Sequence, residues 1–282
     1  MMLLVANAAS ARLSVCDEAG WKITFEDDFE GTSLDPASWV AVDNVTHGNT
    51  EKQLYLRDNV HVVNGSLVLR TRKQEAWHKG RPYNYTSGWV ESKGLRFQAH
   101  GRFEVRAKLP SAASGHDGDW PILWPAHWLM PEPSRSVPPN VCWPVGGEID
   151  IMEAFHPRGH RSDPDWTSVY LTYHWAKECN VDEWDRKSGK WPPLDDNTTR
   201  ISWGEWHSFA VEWSQQEIVW MIDGTPRYRR VAGQPSSLFI PQDPFYMILN
   251  TAVQHWADAP RDRGLPADHL IDRVRFCQRR GV

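Results

Sequence analysis

No stretch of this chain approaches the roughly 20 consecutive apolar residues that a membrane-crossing helix needs. Nor does any block of like charge interrupt its 282 residues. With 31 Lys and Arg against 36 Asp and Glu and a formal charge of -5, it lacks the basic footprint of a nucleic-acid binder. A membrane and a nucleic acid are therefore not expected partners, while neutral partners stay open. Cysteine is scarce, and Cys16, Cys142, Cys179 and Cys277 form no C-x-x-C pair that would point to zinc or dithiol chemistry. A P-loop, a dinucleotide fingerprint and a nucleophile elbow are missing, which removes the commonest nucleotide and serine-hydrolase readings. Long helical periodicity, internal repeats, low-complexity tracts and linkers are missing too.

What is abundant is tryptophan, 17 residues of it, together with 20 Pro and 19 Gly. Indole rings fill cores, but they also stack on the apolar faces of sugar rings whose rims need hydrogen bonds. Hydrophobic residues at 40% and charged residues at 24% support a sizeable core in a single domain spanning residues 12–282. Residues 1–11, MMLLVANAASA, end in a small-residue pattern after a short apolar run, as a truncated signal peptide would. Four N-glycosylation acceptor patterns begin at Asn44, Asn64, Asn84 and Asn197, and lean towards secretion in a eukaryote. In a secreted chain the four cysteines read as two disulfides, for which three connectivities exist. Cys16 and Cys277 lie near the termini and Cys142 and Cys179 flank an acidic stretch, so that pairing is the one expected.

Strand signals recur along the chain. Val60–Val63 and Ser66–Arg72 flank Asn64-Gly65, a strong hairpin dipeptide. In GRFEVRAKL, residues 101–109, Phe103, Val105, Ala107 and Leu109 alternate with Arg102, Glu104, Arg106 and Lys108, which predicts one buried and one wet face. Similar runs cover 169–175, 207–213, 217–222 before Asp223-Gly224, 245–250 and 270–277. Many short strands with Gly, Pro and Asn turns predict an all-β protein, a β-sandwich of jelly-roll type. The long polar or Pro-rich segments 111–120, 131–145, 156–166 and 176–200 are loops, where function commonly resides.

The stretch GGEIDIMEAF, residues 146–155, places Glu148, Asp150 and Glu153 among apolar residues that suit a buried strand. Like charges so close repel, and each resists desolvation. On a helix they would fall at about 0°, 200° and 140° and share no face. On a regular strand Glu148 and Asp150 share a face and Glu153 takes the other. One extra residue, a bulge at Ile151 or Met152, would bring all three to the same side. Glu148 and Glu153 would then have Cα atoms about 13 Å apart, and their side chains can converge on one bond. Retaining glycoside hydrolysis needs such a pair, one carboxylate to attack the anomeric carbon and one carboxylic acid to protonate the leaving oxygen. Asp150 between them can hydrogen-bond the nucleophile, and mutual repulsion keeps one Glu protonated near neutrality. An exposed acidic strand face or a calcium site would also present three acids. The alternating Ile and the preceding Gly-Gly argue against the first, and calcium ligands come more often from loops rich in Asp and Asn.

GEIDIMEAF resembles the E-x-D-x-x-E signature of glycoside hydrolase family 16, in the bulged form of its laminarinase-like branch. ITFEDDFEGTSLDPASW, YTSGWVESKG, GRFEVRAKLP, WPAHWLMP, WHSFAVEW, WMIDG and FYMILNTAV resemble further segments of that family in the same order. The resemblance implies a concanavalin A-like jelly roll of two curved antiparallel sheets with an open cleft. It implies Glu148 as nucleophile, Asp150 as its assistant and Glu153 as acid/base, with no cofactor required for catalysis. It further implies substrate contacts at Trp128, Trp143, His174 and Trp175, and at Asn49 and Glu51 in a cleft-edge loop. It allows a structural calcium on the convex side near Asp28, Gly65 and Asp272. Gly88-Trp89 and the long segment GHDGDWPILWP depart from the laminarinase pattern, which leaves the outer subsites open.

The expected activity is that of a secreted, monomeric, endo-acting hydrolase of β-1,3-glucan. Mixed-linkage β-1,3-1,4-glucan, β-galactan and transglycosylation are alternatives on the same fold. A glucan-recognition protein without chemistry is the rival class, and the retained pair of Glu weighs against it. His156 and His160 have zinc-like spacing, but with no third ligand in view they read as a surface loop.

Overall fold

The computed structural model describes residues 14–49, 51–110, 123–134, 141–154, 169–179, 201–234, 236, 238–254 and 264–281. Residues 1–11, the acceptor pattern at Asn197, His156 and His160 lie outside them, as does most of the 115–125 segment. The first half of the chain forms β1 (Trp21–Asp27), β2 (Val40–Ala41), β3 (Gln53–Tyr55), β4 (Val60–Val62), β5 (Leu67–His78), β6 (Arg81–Ser87), β7 (Trp89–Glu91), β8 (Phe97–Gln98) and β9 (Gly101–Lys108). The second half forms β10 (Leu123–Pro131), β11 (Glu148–Glu153), β12 (Tyr170–His174), β13 (Trp206–Trp213), β14 (Glu217–Ile222), β15 (Thr225–Val231), β16 (Phe245–Val253) and β17 (Ala267–Arg279). Only two short 3-10 turns, Val15–Asp17 and Arg57–Asn59, interrupt the strands among the described residues.

Two sheets result. One has ten strands in the order β15, β14, β13, β9, β17, β5, β6, β3, with β1 on β17 and β4 on β5. The other has seven, ordered β12, β11, β10, β16, β7, β2, with β8 on β16. The pairing is antiparallel except where β3 runs parallel to β6. Asn64 and Gly65 sit at φ 52° and 71°, and Asp223 and Gly224 at 53° and 72°. Paired left-handed residues of this kind close tight hairpins because their twist matches that of the flanking strands.

The core lies between the sheets, where Phe103, Val105, Phe209, Val211 and Phe276 of the larger sheet meet Leu129, Ile149, Met247 and Leu249 of the smaller. Each such side chain contributes about 1.5–3 kcal/mol on burial. Several tryptophans belong here: Trp213 and Trp220 are almost wholly enclosed. Trp220 donates its indole N–H to the Asp150 carbonyl at 2.7 Å, tying β14 to β11 across the core.

The alternation in β9 holds on its inner side, but its outer side is drier than the pattern predicts. Arg102 and Glu104 are buried. The segment before β1 covers them: Arg102 donates to the Val15 carbonyl and pairs with Glu18 and Glu212, and Ser14 donates its hydroxyl to Glu104. The Cys16–Cys277 disulfide holds that segment to β17, and a second joins Cys142 to Cys179, the expected pairing in both cases. Asn44, Asn64 and Asn84 are exposed.

Candidate active site

Strand β11 lies between β10 and β12, and its register carries the bulge that parity demands. Trp128 faces Asp150, yet Ala126 faces Glu153, so three steps on β11 match two on β10 and Ile151 is the extra residue. The same shift appears against β12, where Thr172 opposes Asp150 and Tyr170 opposes Glu153. Glu148, Asp150 and Glu153 therefore share the outer face of the seven-stranded sheet, while Ile149 and Met152 enter the core. The lead-in glycines have steric reasons: a Cβ on Gly146 would lie 2.8 Å from Pro131 Cγ, and Gly147 adopts φ +85°.

Glu148 is partly exposed and accepts the indole N–H of Trp143 at 2.6 Å. Asp150, 2% exposed, has Oδ2 3.2 Å from His174 Nε2. Trp143 in turn rests 5.5 Å from the His174 ring. Glu153 is 8% exposed and takes the Trp124 indole N–H on Oε1 at 3.0 Å, while its Oε2 is buried without a hydrogen-bond partner among the described residues.

Burial, then the carboxylate of Asp150, push the Glu148 carboxyl up to about 8, against the pull of His174 and the Trp143 hydrogen bond. Burial and Asp150, with Glu148 adding to them, push Glu153 well above the carboxylate range, and Trp124 offsets only part of this. The two differ in access to water. Glu148 keeps contact with solvent and ionises first; Glu153, more enclosed and with one oxygen unpartnered, holds its proton longer.

Single ligand atoms of Glu148, Asp150 and His174 lie within 4.8 Å of one another, and as donors they could ligate a divalent cation. Glu153, aligned by the bulge and bonded to Trp124, has no part in such a site. The arrangement suits two carboxyls acting on one bond better.

The structure brings Trp128, Trp143 and His174 to this face. Trp128 opposes Asp150 and donates to Asn250 Oδ1 at 2.8 Å. Asn49 is exposed in the loop before β3, and Glu51 in that loop accepts from Gln53 and from the Tyr55 hydroxyl. Trp175 corrects the expectation. It is 2% exposed and stacks on Tyr173 in the core, because its neighbour His174 already points to the cleft and successive strand residues face opposite ways. Sequence reasoning assigned no role to Trp124 or Asn250, although Trp124 shares the two-residue period of Trp128 in LWPAHW.

Asp28, Gly65 and Asp272 gather at one end of the ten-stranded sheet. Asp28 follows Asp27, which pairs with Val274, and Gly65 precedes Leu67, which pairs with Ile271. Asp272 gives one oxygen to Arg106, and its Oδ1 is buried without a hydrogen-bond partner among the described residues. Burial, opposed by two arginines and aided by Asp28, raises its pKa. The unpartnered Oδ1 beside a second acid is an oxygen donor of the kind a hard cation takes, whereas Arg106 and Arg273 next to it oppose a cation there.

The sequence model described as Glycosyl hydrolases family 16 matches residues 47–263. A β-glucanase of Rhodothermus marinus is 31% identical over 90% of this chain and 84% of its own. Glucan endo-1,3-beta-glucosidase A1 of Niallia circulans is 30% identical over 91% of this chain, which spans 38% of that longer protein. The endo-beta-1,3-glucanase from Pyrococcus furiosus superposes with a TM-score of 0.72 at 26% identity, over 92% of this chain and 95% of its own. With the family model covering most of its length, this chain is a member of glycoside hydrolase family 16.

Proposed function

We propose that the protein is a secreted, monomeric, endo-acting hydrolase of β-1,3-glucan that cleaves by double displacement with retention. The observation that carries this reading is the bulge at Ile151, which puts two unequally buried Glu on one face with an Asp between them. Glu148, held by Trp143 and Asp150, attacks the anomeric carbon and forms a glycosyl ester. Glu153 gives its proton to the departing glycosidic oxygen, then takes one from the water that hydrolyses the ester. Asp150, fixed by His174 and by Trp220 through its backbone, keeps Glu148 oriented. Trp143 and Trp128 offer ring faces beside the reacting sugar, Asn49 lies at the cleft edge next to it, and Glu51 supports that edge from behind. The names borne by one relative and one structural neighbour support β-1,3-glucan as the substrate class, and that of the other relative supports a β-glucan. A calcium held near Asp28, Asp272 and the Gly65 turn would brace the ten-stranded sheet and takes no part in the reaction. Two disulfides and three exposed glycosylation patterns support secretion.

The test is incubation of the purified protein with laminarin, mixed-linkage glucan, agarose and β-1,3-galactan, followed by product analysis. The expected result is internal cleavage of laminarin to short oligosaccharides with initial β-configuration. Release of glucose alone from chain ends, or cleavage of galactan without action on laminarin, would overturn the assignment.

A further inference from the structure

His47 lies in the loop between β2 and β3 and was marked by no motif. Its ring packs 5.5 Å from Trp89 and 5.9 Å from Trp128, themselves 5.4 Å apart. Its Nδ1 lies 3.3 Å from Glu51 Oε1. The side chain of Glu51 is 5% exposed, whereas that of His47 is 37% exposed. Nδ1 is thus engaged and two indoles flank the ring, which leaves Nε2 as the nitrogen available to a ligand.

A continuous line of hydrogen bonds fixes this orientation. Trp128 donates to Asn250 Oδ1, Asn250 Nδ2 donates to the Tyr55 hydroxyl at 2.9 Å, and Tyr55 donates to Glu51 Oε2 at 3.1 Å. A carboxylate that already accepts from Tyr55 and Gln53 can only accept again, so His47 Nδ1 must carry the proton. Nε2 is then a lone pair on the neutral ring or an N–H on the charged one. Burial disfavours the charge, but the hydrogen bond and carboxylate of Glu51, with the field of Glu148, outweigh it and raise the pKa. Trp128, against which the ring packs, lies opposite Asp150 on the face that carries Glu148. A sugar hydroxyl both donates and accepts, and so suits either state of Nε2.

We propose that His47 is a sugar-contacting residue of the cleft, whose Nε2 edge hydrogen-bonds a hydroxyl of the bound glucan beside Trp128. This rests on the hydrolase reading above and adds to it a specificity contact on the loop side of the cleft. The Trp89–Trp128 pair and Glu51 act as the mount that holds the ring.

The experiment compares wild type, His47→Phe and His47→Gln on a laminari-oligosaccharide of defined length. His47→Phe keeps a ring on the two tryptophans and removes both nitrogens; KM should rise about tenfold, the scale of one lost hydrogen bond, with kcat within about twofold. His47→Gln restores a polar edge and should recover most of the loss. Unchanged KM in His47→Phe, or equal damage in both variants together with a lowered Tm, overturns the proposal in favour of a packing role. Cleavage by wild type of another chain in the panel refutes the glucan assignment alone, and the same KM comparison is then made on that chain. If wild type cuts none of them, the hydrolase reading falls. Affinity electrophoresis in laminarin then decides for His47: retardation lost in His47→Phe upholds the contact, and equal migration overturns it.

Discussion

On its outer face β10 looks across at Glu148, Asp150 and Glu153; on its inner face, between Ala126 and Trp128, His127 meets His269 of β17 with their Nε2 atoms 3.0 Å apart. Both regions bury like titratable groups against one another, and they reach neutrality by opposite routes. In the cleft, burial and the charge of Asp150 raise Glu148 and Glu153, so that these two hold protons longer than free carboxyls. The imidazoles shed theirs: burial lowers His127 well below its ordinary range, and burial lowers His269 to about 3. A hydrogen bond from His269 to the Asn250 backbone opposes that shift, and the Thr251 hydroxyl lies 3.2 Å from His269 Nδ1. His127 Nδ1 is buried without a hydrogen-bond partner among the described residues. The core pair is closed to water and its proton has nowhere to go. The cleft opens on solvent through Glu148, which can shed its proton there, while the more enclosed Glu153 keeps one to give to the leaving group.

The comparison breaks most sharply in activity. Glu148→Ala should be inert on laminarin and on an aryl β-glucoside, because without the nucleophile no ester forms. Glu153→Ala should lose about 10²–10⁴-fold on laminarin, the usual range for a proton-transfer group, yet still release the aryl group. Added azide should speed that variant and yield a β-glycosyl azide. Rescue of Glu148→Ala to the β-azide instead would exchange the two roles, and wild-type rates in both would remove the acidic stretch from the reaction.

Stability tests the core side. His127→Leu leaves His269 Nε2 buried and unpaired, at a cost of about 1–3 kcal/mol in urea unfolding. Adding His269→Leu should recover part of that. The pair also sets a pH slope. Its folded pKa values lie below the ordinary 6.5, so below about pH 6.5 the unfolded chain binds protons that the folded one refuses, and stability falls as pH drops. The double variant should lack this acid-side loss; an unchanged slope would show that other groups set it.

The smallest effect belongs to the cleft and has the opposite sign. Because Glu153 is raised in the fold, the unfolded chain loses its proton above about pH 4.5 while the folded protein retains it, so stability declines from there towards neutrality. Glu153→Gln, which cannot ionise, should gain about 1 kcal/mol at pH 7 and nothing at pH 4. An equal change at both pH values would point to packing rather than charge.

Much of this was legible in the sequence. Hairpins at Asn64-Gly65 and Asp223-Gly224 follow from dipeptides that tolerate positive φ, and the bulge follows from parity, since three acids at spacings of two and three cannot otherwise share a face. The His127–His269 bond could not be read, because it joins strands of different sheets and no local period reports which sheets oppose. Arg102 and Glu104 misled for a related reason: alternation tells which side faces away from the core, not whether another segment later covers it. Trp175 was a failure of available logic, as adjacency to His174 already placed it on the other face. His47 carried no signal until the loop was seen folded over Trp128.

The Cys16–Cys277 bridge spans 261 residues and closes the chain between them into a covalent ring. A single peptide cut anywhere inside that ring opens it into a line without releasing a fragment, since the two pieces stay joined through the bridge. The loops around the cleft fall inside this circle. A nicked molecule therefore keeps the same set of strands at the same local concentration, and only a second break, in another loop or in the bridge itself, lets part of the sandwich diffuse away.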